Sequence, residues 1–182
     1  MSTLIATNGN ITNVNTGTIK DSTGNTTAMT IDSVGRVIKP SQISYCVIST
    51  AGNQALSASA VVGLVPQSPN SSSNGFHNIG GHFNVSNGTF TAPIAGRYLL
   101  HCSYSVWFTG GSLSDGWQIR SLLNGSANHD FYHSGGSAGY EGRANATCIL
   151  DLSVSDYVSF QMQGYGGTAT LQHHIFYGYL LG

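Results

Sequence analysis

The stretch Arg97-Tyr98-Leu99-Leu100-His101-Cys102-Ser103-Tyr104-Ser105-Val106-Trp107-Phe108 decides the fold. Tyr98, Leu100, Cys102, Tyr104, Val106 and Phe108 share one side of a period of two. Arg97, His101, Ser103 and Ser105 take the other side, and Leu99 and Trp107 are apolar exceptions there. Successive side chains of an extended chain point to opposite faces, so the pattern reads as a strand with one buried face.

Working outward, similar short strands are expected at 116–123, 144–152, 157–163 and 170–181. Between them stand turn pairs such as Asn87-Gly88, Asp115-Gly116, Asn124-Gly125 and Gly166-Gly167. Many short strands at this spacing predict an all-β sandwich or jelly roll. The last strand is apolar on both faces, which places it at the centre of a sheet or at a subunit contact. Residues 55–65 have a helix-compatible composition, but Val61-Val62-Gly63 with Pro66 following reads as loop and then strand.

Composition agrees. Only 7% of the 182 residues are charged, against about 25% in an ordinary domain. Glu141 is the single glutamate and Lys20 and Lys39 the two lysines, so the charged helix formers are nearly absent. A formal net charge of −1 gives no electrostatic footprint for nucleic acid. No apolar run approaches a membrane span, so membrane insertion is not expected. The first residues carry neither a basic nor a long apolar segment and do not read as a signal peptide. Cys46, Cys102 and Cys148 are odd in number and lack metal-site spacing. They read as buried free thiols of a chain made in a reducing cytoplasm, with an intermolecular disulfide as the alternative.

Two regions differ in texture. Residues 1–40 are rich in Thr, Asn, Gly and Ser, with sparse apolar residues including Ile5, Ile11, Val14 and Ile19. Alone, such a segment cannot offset its ordering entropy. It is therefore expected to be a short β-rich stem held by sister chains or a docking partner, with these four residues in the attachment. Lys39-Pro40 closes it, and residues 41–182 form the sandwich.

Further motifs carry a family resemblance. The series Asn78-x4-Phe83-x6-Phe90-x5-Gly96-x-Tyr98-x-Leu100-x-Cys102-x-Tyr104 resembles the signature of C1q-like globular domains, which are tumour-necrosis-factor-like jelly rolls. So do the phrase Gly88-Thr89-Phe90-Thr91-Ala92-Pro93-Ile94-Ala95-Gly96-Arg97-Tyr98, the triplet Leu123-Asn124-Gly125, Ser155-Asp156-Tyr157-Val158 and the closing Phe176-Tyr177-Gly178-Tyr179-Leu180-Leu181. Departures are Leu100 and Cys102 at aromatic positions, Ser155 for a usual glycine, and Ser72 where a first phenylalanine belongs. Phe90 and Tyr98 should supply buried surface on facing strands, with Pro93 and Gly96 shaping the turn between. The resemblance implies a homotrimer with Phe90, Tyr98, Tyr104, Phe176 and Tyr179 in the core or trimer contact. Residues 18–40 resemble a segment that precedes C1q-like knobs in fibre proteins of tailed phages. Collagen-like Gly-x-y repeats are absent.

Other motifs carry less. Gly135-Gly136-Ser137-Ala138-Gly139 matches a nucleophile elbow, and Gly164-Tyr165-Gly166-Gly167-Thr168-Ala169 mimics a dinucleotide fingerprint, but neither is followed by a helix. No catalytic residues and no cofactor are expected. Glu141 lacks an evident partner for glycoside hydrolysis, although Asp115 and Asp130 lie in the expected loops. His173 and His174 point to opposite faces of a strand and cannot share a metal within one chain. No metal ligands are assigned, and three symmetry copies of one histidine about an axis are the remaining metal reading.

The loops expected at 109–117, 124–142 and 164–168 hold Trp117, Asp130, Phe131, Tyr132, His133, Tyr140 and Tyr165. Aromatic rings beside Asp, Asn and His suit recognition of a host-surface glycan or protein, since rings stack on sugars while amides and carboxylates bond hydroxyls. The competing reading packs these rings into the core. Together the features predict a non-enzymatic homotrimeric virion protein made in the host cytoplasm, a tail or head fibre or knob. Residues 1–40 would attach to another virion protein and the jelly roll would contact the host surface. The alternatives are a capsid or tail decoration without receptor role, and a surface-polysaccharide depolymerase.

Overall fold

The computed structural model describes residues 18–20, 27–39, 42–49, 54–57, 60–67, 69–72, 75–110, 116–133, 139 and 141–182. The chain divides into two compact units, Met1–Gln42 and Ile43–Gly182.

In the first unit, β1 (Thr18–Lys20), β2 (Thr27–Ile31) and β3 (Val37–Ile38) form an antiparallel three-stranded sheet in chain order. The β2–β3 turn is held by Asp32, whose carboxylate accepts from the backbone N–H of Val34 and Arg36 and pairs with Arg36 Nε at 2.6 Å. These bonds, led by the Arg36 backbone N–H, hold the Asp32 carboxyl below its ordinary range. Ile19, Val34, Val37 and Ile38 remain exposed. Ile5, Ile11 and Val14 lie outside the described residues.

The second unit is a sandwich of two six-stranded sheets. Its strands are β4 (Ser44–Ser49), β5 (Gln54–Leu56), β6 (Val61–Gly63), β7 (His77–Asn78), β8 (Phe83–Asn84), β9 (Thr89–Thr91), β10 (Gly96–Gly110), β11 (Trp117–Leu123), β12 (Ser126–His133), β13 (Glu141–Leu152), β14 (Tyr157–Gly164) and β15 (Thr168–Leu180). The first sheet runs β13-β10-β15-β4-β7 with β5 on β15, and the second runs β12-β11-β14-β9-β8 with β6 on β14. All pairings are antiparallel. The only described helix is one 3-10 turn at Ile79–Gly81. This is a jelly-roll-like architecture.

The core faces meet as the alternation requires. Tyr98, Leu100, Cys102, Tyr104, Val106 and Phe108 of β10 are all buried. Phe90 of the second sheet packs on Tyr98 of the first at 5.2 Å, and the Tyr98 hydroxyl donates to the Ile94 carbonyl beyond Pro93. Tyr45 stacks on Phe83 at 4.5 Å, and Phe83 meets Phe176 at a tilt, 5.3 Å between ring centres. Each such ring contributes about 2–3 kcal/mol by burial. The close approach explains Gly178, where a Cβ would stand 2.7 Å from the Tyr45 ring and 3.0 Å from the Leu99 carbonyl.

The structure corrects several expectations. Residues 126–133, expected within a loop, form β12, an edge strand paired with β11 through the Asn124-Gly125 turn. Both turn residues have positive φ, 51° and 80°, as a two-residue hairpin requires. Thr109, Gly110, Glu141 and Gly142 are strand ends rather than loop. Cys102 and Cys148 are buried free thiols, but Cys46 is free and only half-buried. Desolvation pushes all three thiols up, Cys148 to about 11.

Candidate functional site

The two outward faces of the sandwich differ in chemistry. On the first sheet the register places side chains in rows. Ile149, Leu99, Tyr179 and Ser44 form one; Thr147, His101, Tyr177 and Cys46 the next; Asn145, Ser103, Ile175 and Ile48 the third. Ile149 is 55% exposed and Tyr179, Ile175 and Trp107 are also exposed. Apolar exceptions on the polar side of the pattern, Leu99 and Trp107, therefore belong to this face. The last strand is apolar on both sides because β15 is central and carries Tyr179, Tyr177 and Ile175 outward.

Several polar groups on this face pair with one another. His101 stacks on Tyr177 at 4.3 Å and shares a 2.7 Å hydrogen bond with Thr147 Oγ1, and desolvation lowers its pKa. At one edge of the sheet Arg97 pairs with Asp151 at 2.8 Å beside a cleft of about 550 Å³, lined also by Leu152, Leu181 and Gly182. Further along β10, a cleft of about 310 Å³ opens among Ile48, Ser103, Ser105, Asn145, His173 and Ile175. Ser105 Oγ donates to the Glu141 carboxylate, which also faces Arg143 at 3.6 Å. Exposed Ile149, Tyr179 and Ile175 stand on this face among polar residues, with Trp107 further along β10.

On the second sheet the outward face is polar and aromatic. Tyr132, Gln118, Gln163 and Val61 form one row, and Asp130, Arg120, Gln161 and Gly63 the adjacent row. Arg120 Nε pairs with Asp130 at 2.6 Å, which raises the guanidinium pKa. Tyr165 is half-buried, and desolvation followed by the nearby Tyr132 phenol raises its pKa while Arg120 opposes. The electrostatic neighbours thus bring together Asp130, Tyr132 and Tyr165 of the expected recognition residues.

The others separate. Trp117 is buried, only 4% exposed, against Phe108 at 5.1 Å. Its indole fits above Gly142, where a Cβ would lie 3.0 Å from the ring. It is core rather than ligand surface. Phe131 turns inward and packs against the core. His133 ends β12, and Tyr140 lies outside the described residues. Phe90, Tyr98, Tyr104 and Phe176 are core of a single sandwich, whereas Tyr179 lies on the outward face of the first sheet. Register adds Arg120, Gln118, Gln161 and Gln163 to the outward face of the second sheet, and their alternation with Ile119, Phe160 and Met162 was the available signal.

His173 and His174 separate across a β-bulge: His173, with φ 44° and no register partner on β10, is exposed, and His174 is buried. Among the described residues no three His, Cys, Asp or Glu are grouped to hold a metal. Glu141 belongs to the first sheet and Asp130 to the second, where Arg120 holds it. The serine motif at 135–139 falls mostly outside the described residues. After Gly164-Tyr165-Gly166-Gly167 the chain enters β15, so no helix N-terminus follows.

The second unit is thus a two-sheet jelly roll whose first sheet exposes Ile149, Ile175, Tyr179 and Trp107 on its outward face. The chain belongs to the C1q domain family, whose model matches residues 67–181; C1q domains commonly form trimers. The fold is similar to the globular domain of zebrafish complement 1qA protein, with 14% identity, a TM-score of 0.55, and coverage of 78% of this chain and 98% of that one. No curated protein sequence matches the chain.

Proposed function

We propose that this chain is a non-enzymatic, homotrimeric virion protein, a fibre or knob of a tailed phage made in the host cytoplasm. Residues 1–40 attach it to another virion protein, and the C-terminal sandwich contacts the host surface. The observation that carries the trimer is the outward face of the first sheet. Its exposed Ile149, Tyr179, Ile175 and Trp107 leave apolar surface that a second and third copy would cover. The virion assignment is supported by the resemblance of residues 18–40 to fibre segments and by the exposed apolar residues Ile19, Val37 and Ile38 of the first unit. The outward face of the second sheet, with Tyr132 and Tyr165, is left to meet the host.

Deletion of residues 1–40 should abolish incorporation into particles, and the purified full-length trimer should bind host cells and compete with infection. A trimer that incorporates through 1–40 but neither binds nor competes is a decoration protein. Incorporation unaffected by the deletion overturns the attachment role.

A further inference from the structure

The middle strand of the first sheet carries a histidine that its own sandwich does not use. The β10–β15 register passes from Tyr104↔His174 to Ser105↔Gln172, so His173 is the extra residue of a β-bulge. Its φ of 44° lies in the left-handed region, which is unfavourable for a residue with a Cβ. Backbone strain of this kind persists where the surrounding structure holds it, and it clusters at functional sites. The bulge turns the ring away from the core. His174 is buried, whereas His173 is exposed and lines the outward recess of about 310 Å³ with Ser103, Asn145 and Ile175.

Position in the sheet decides which side chains three copies would bring together. In the order β13-β10-β15-β4-β7, β15 is the middle strand. Three copies that turn this face towards one axis bring its middle closest to that axis, and the symmetry repeats each residue there three times. β15 contains two candidate metal ligands, His173 and His174, and of these His173 is on the outward side. His101 on the adjacent strand is already engaged by Thr147 and Tyr177. Beside the recess, Arg143 and Glu141 offset each other's charge at 3.6 Å.

Among the described residues one chain groups no three metal ligands, so a site requires one ligand from each of several copies. Three imidazole nitrogens at about 2.0–2.1 Å from one ion, with a water in the fourth position, form the tetrahedral shell that Zn²⁺ accepts. The recess beside His173 has room for that water.

We propose that the trimer holds one divalent ion of the zinc class on its axis, ligated by His173 from each of the three copies. The site rests on the trimer reading and deepens it, because an ion shared by three chains opposes their separation.

The test uses the untagged full-length protein, stripped with a chelator and dialysed against zinc. The expected ratio is one ion per three chains. Zinc should lower the concentration at which the trimer dissociates by about tenfold or more, since the ion binds the assembly and not the separated chains. His173→Gly should remove both effects. Glycine suits the left-handed conformation, so the melting temperature of the zinc-free variant should not fall below that of the zinc-free wild type, which separates a lost ligand from a lost fold. A trimer that binds no zinc overturns the axial site and leaves the trimer reading in place. One ion per chain, or binding that His173→Gly retains, also overturns it. A chain that is monomeric with and without zinc overturns both.

Discussion

His174 ties stability to pH. The ring is fully buried, stacks on Tyr104 at 4.2 Å, and accepts the Gln67 backbone N–H at Nδ1 over 3.2 Å. Desolvation, aided by the neighbouring His173, lowers its pKa from 6.5 to about 4. A depressed folded pKa means the native state resists a proton that the unfolded chain takes up near 6.5. The stability from keeping His174 neutral is thus complete above about pH 6.5 and is lost as pH falls towards 4. At 1.36 kcal/mol per pKa unit, the loss reaches about 3 kcal/mol, close to 1.4 kcal/mol per pH unit across that window. Urea unfolding from pH 8 to pH 4, at fixed protein concentration because assembly adds to apparent stability, measures it. His174→Gln should be less stable at pH 7 yet lose about 3 kcal/mol less than the wild type on acidification. His101 and the carboxylates Asp32, Asp151 and Asp156, which titrate in both proteins, cancel in the comparison. An unchanged slope in the variant, or a His174 ring that titrates near 6.5 by NMR, would refute the reasoning.

Three further perturbations separate fold from assembly. Ile149→Asp acts on the outward face, where Ile149 is 55% exposed in a single sandwich; each copy would forgo about 1 kcal/mol of burial and add a carboxylate that is costly to desolvate. Sedimentation should show monomers at micromolar concentration, with unchanged circular dichroism. Ser155 has φ 71°, the left-handed region, where the family usually places glycine; Ser155→Gly should raise stability by up to about 1 kcal/mol in thermal melts. Gly178→Ala drives a methyl against Tyr45, Leu100 and the Leu99 carbonyl and should cost about 1–3 kcal/mol, read as a lower melting temperature.

Much of the fold was legible because strands with one buried face write themselves in a period of two. β10, β13 and β14 alternate so consistently that their core faces follow from counting, and the Asn124-Gly125 pair marks its hairpin. β12 was hidden for a physical reason. As an edge strand with one neighbour, its outward positions need no apolar residue, so Ser126–His133 resembles the polar loops around it. β4 was missed because Ser44–Ser49 is short and half-buried on its outward side, which blurs the alternation. Trp117 misled because it follows the turn pair Asp115-Gly116; nothing local reveals that Gly142 on the facing sheet leaves room for an indole. The candidate recognition face was only partly readable. Asp130, Tyr132 and Tyr165 come together, but Arg120 and Gln118 join them only through cross-strand register, which composition does not encode. Ser155 is the converse case, a departure from the family pattern whose consequence became visible only in its backbone angle.

Assembly through the first sheet's outward face is the central claim, and the solution mass of the full-length chain tests it most directly. Three chains of 19.1 kDa predict a light-scattering mass of about 57 kDa that persists to micromolar dilution. A single species of 19.1 kDa with a native circular dichroism spectrum would contradict it.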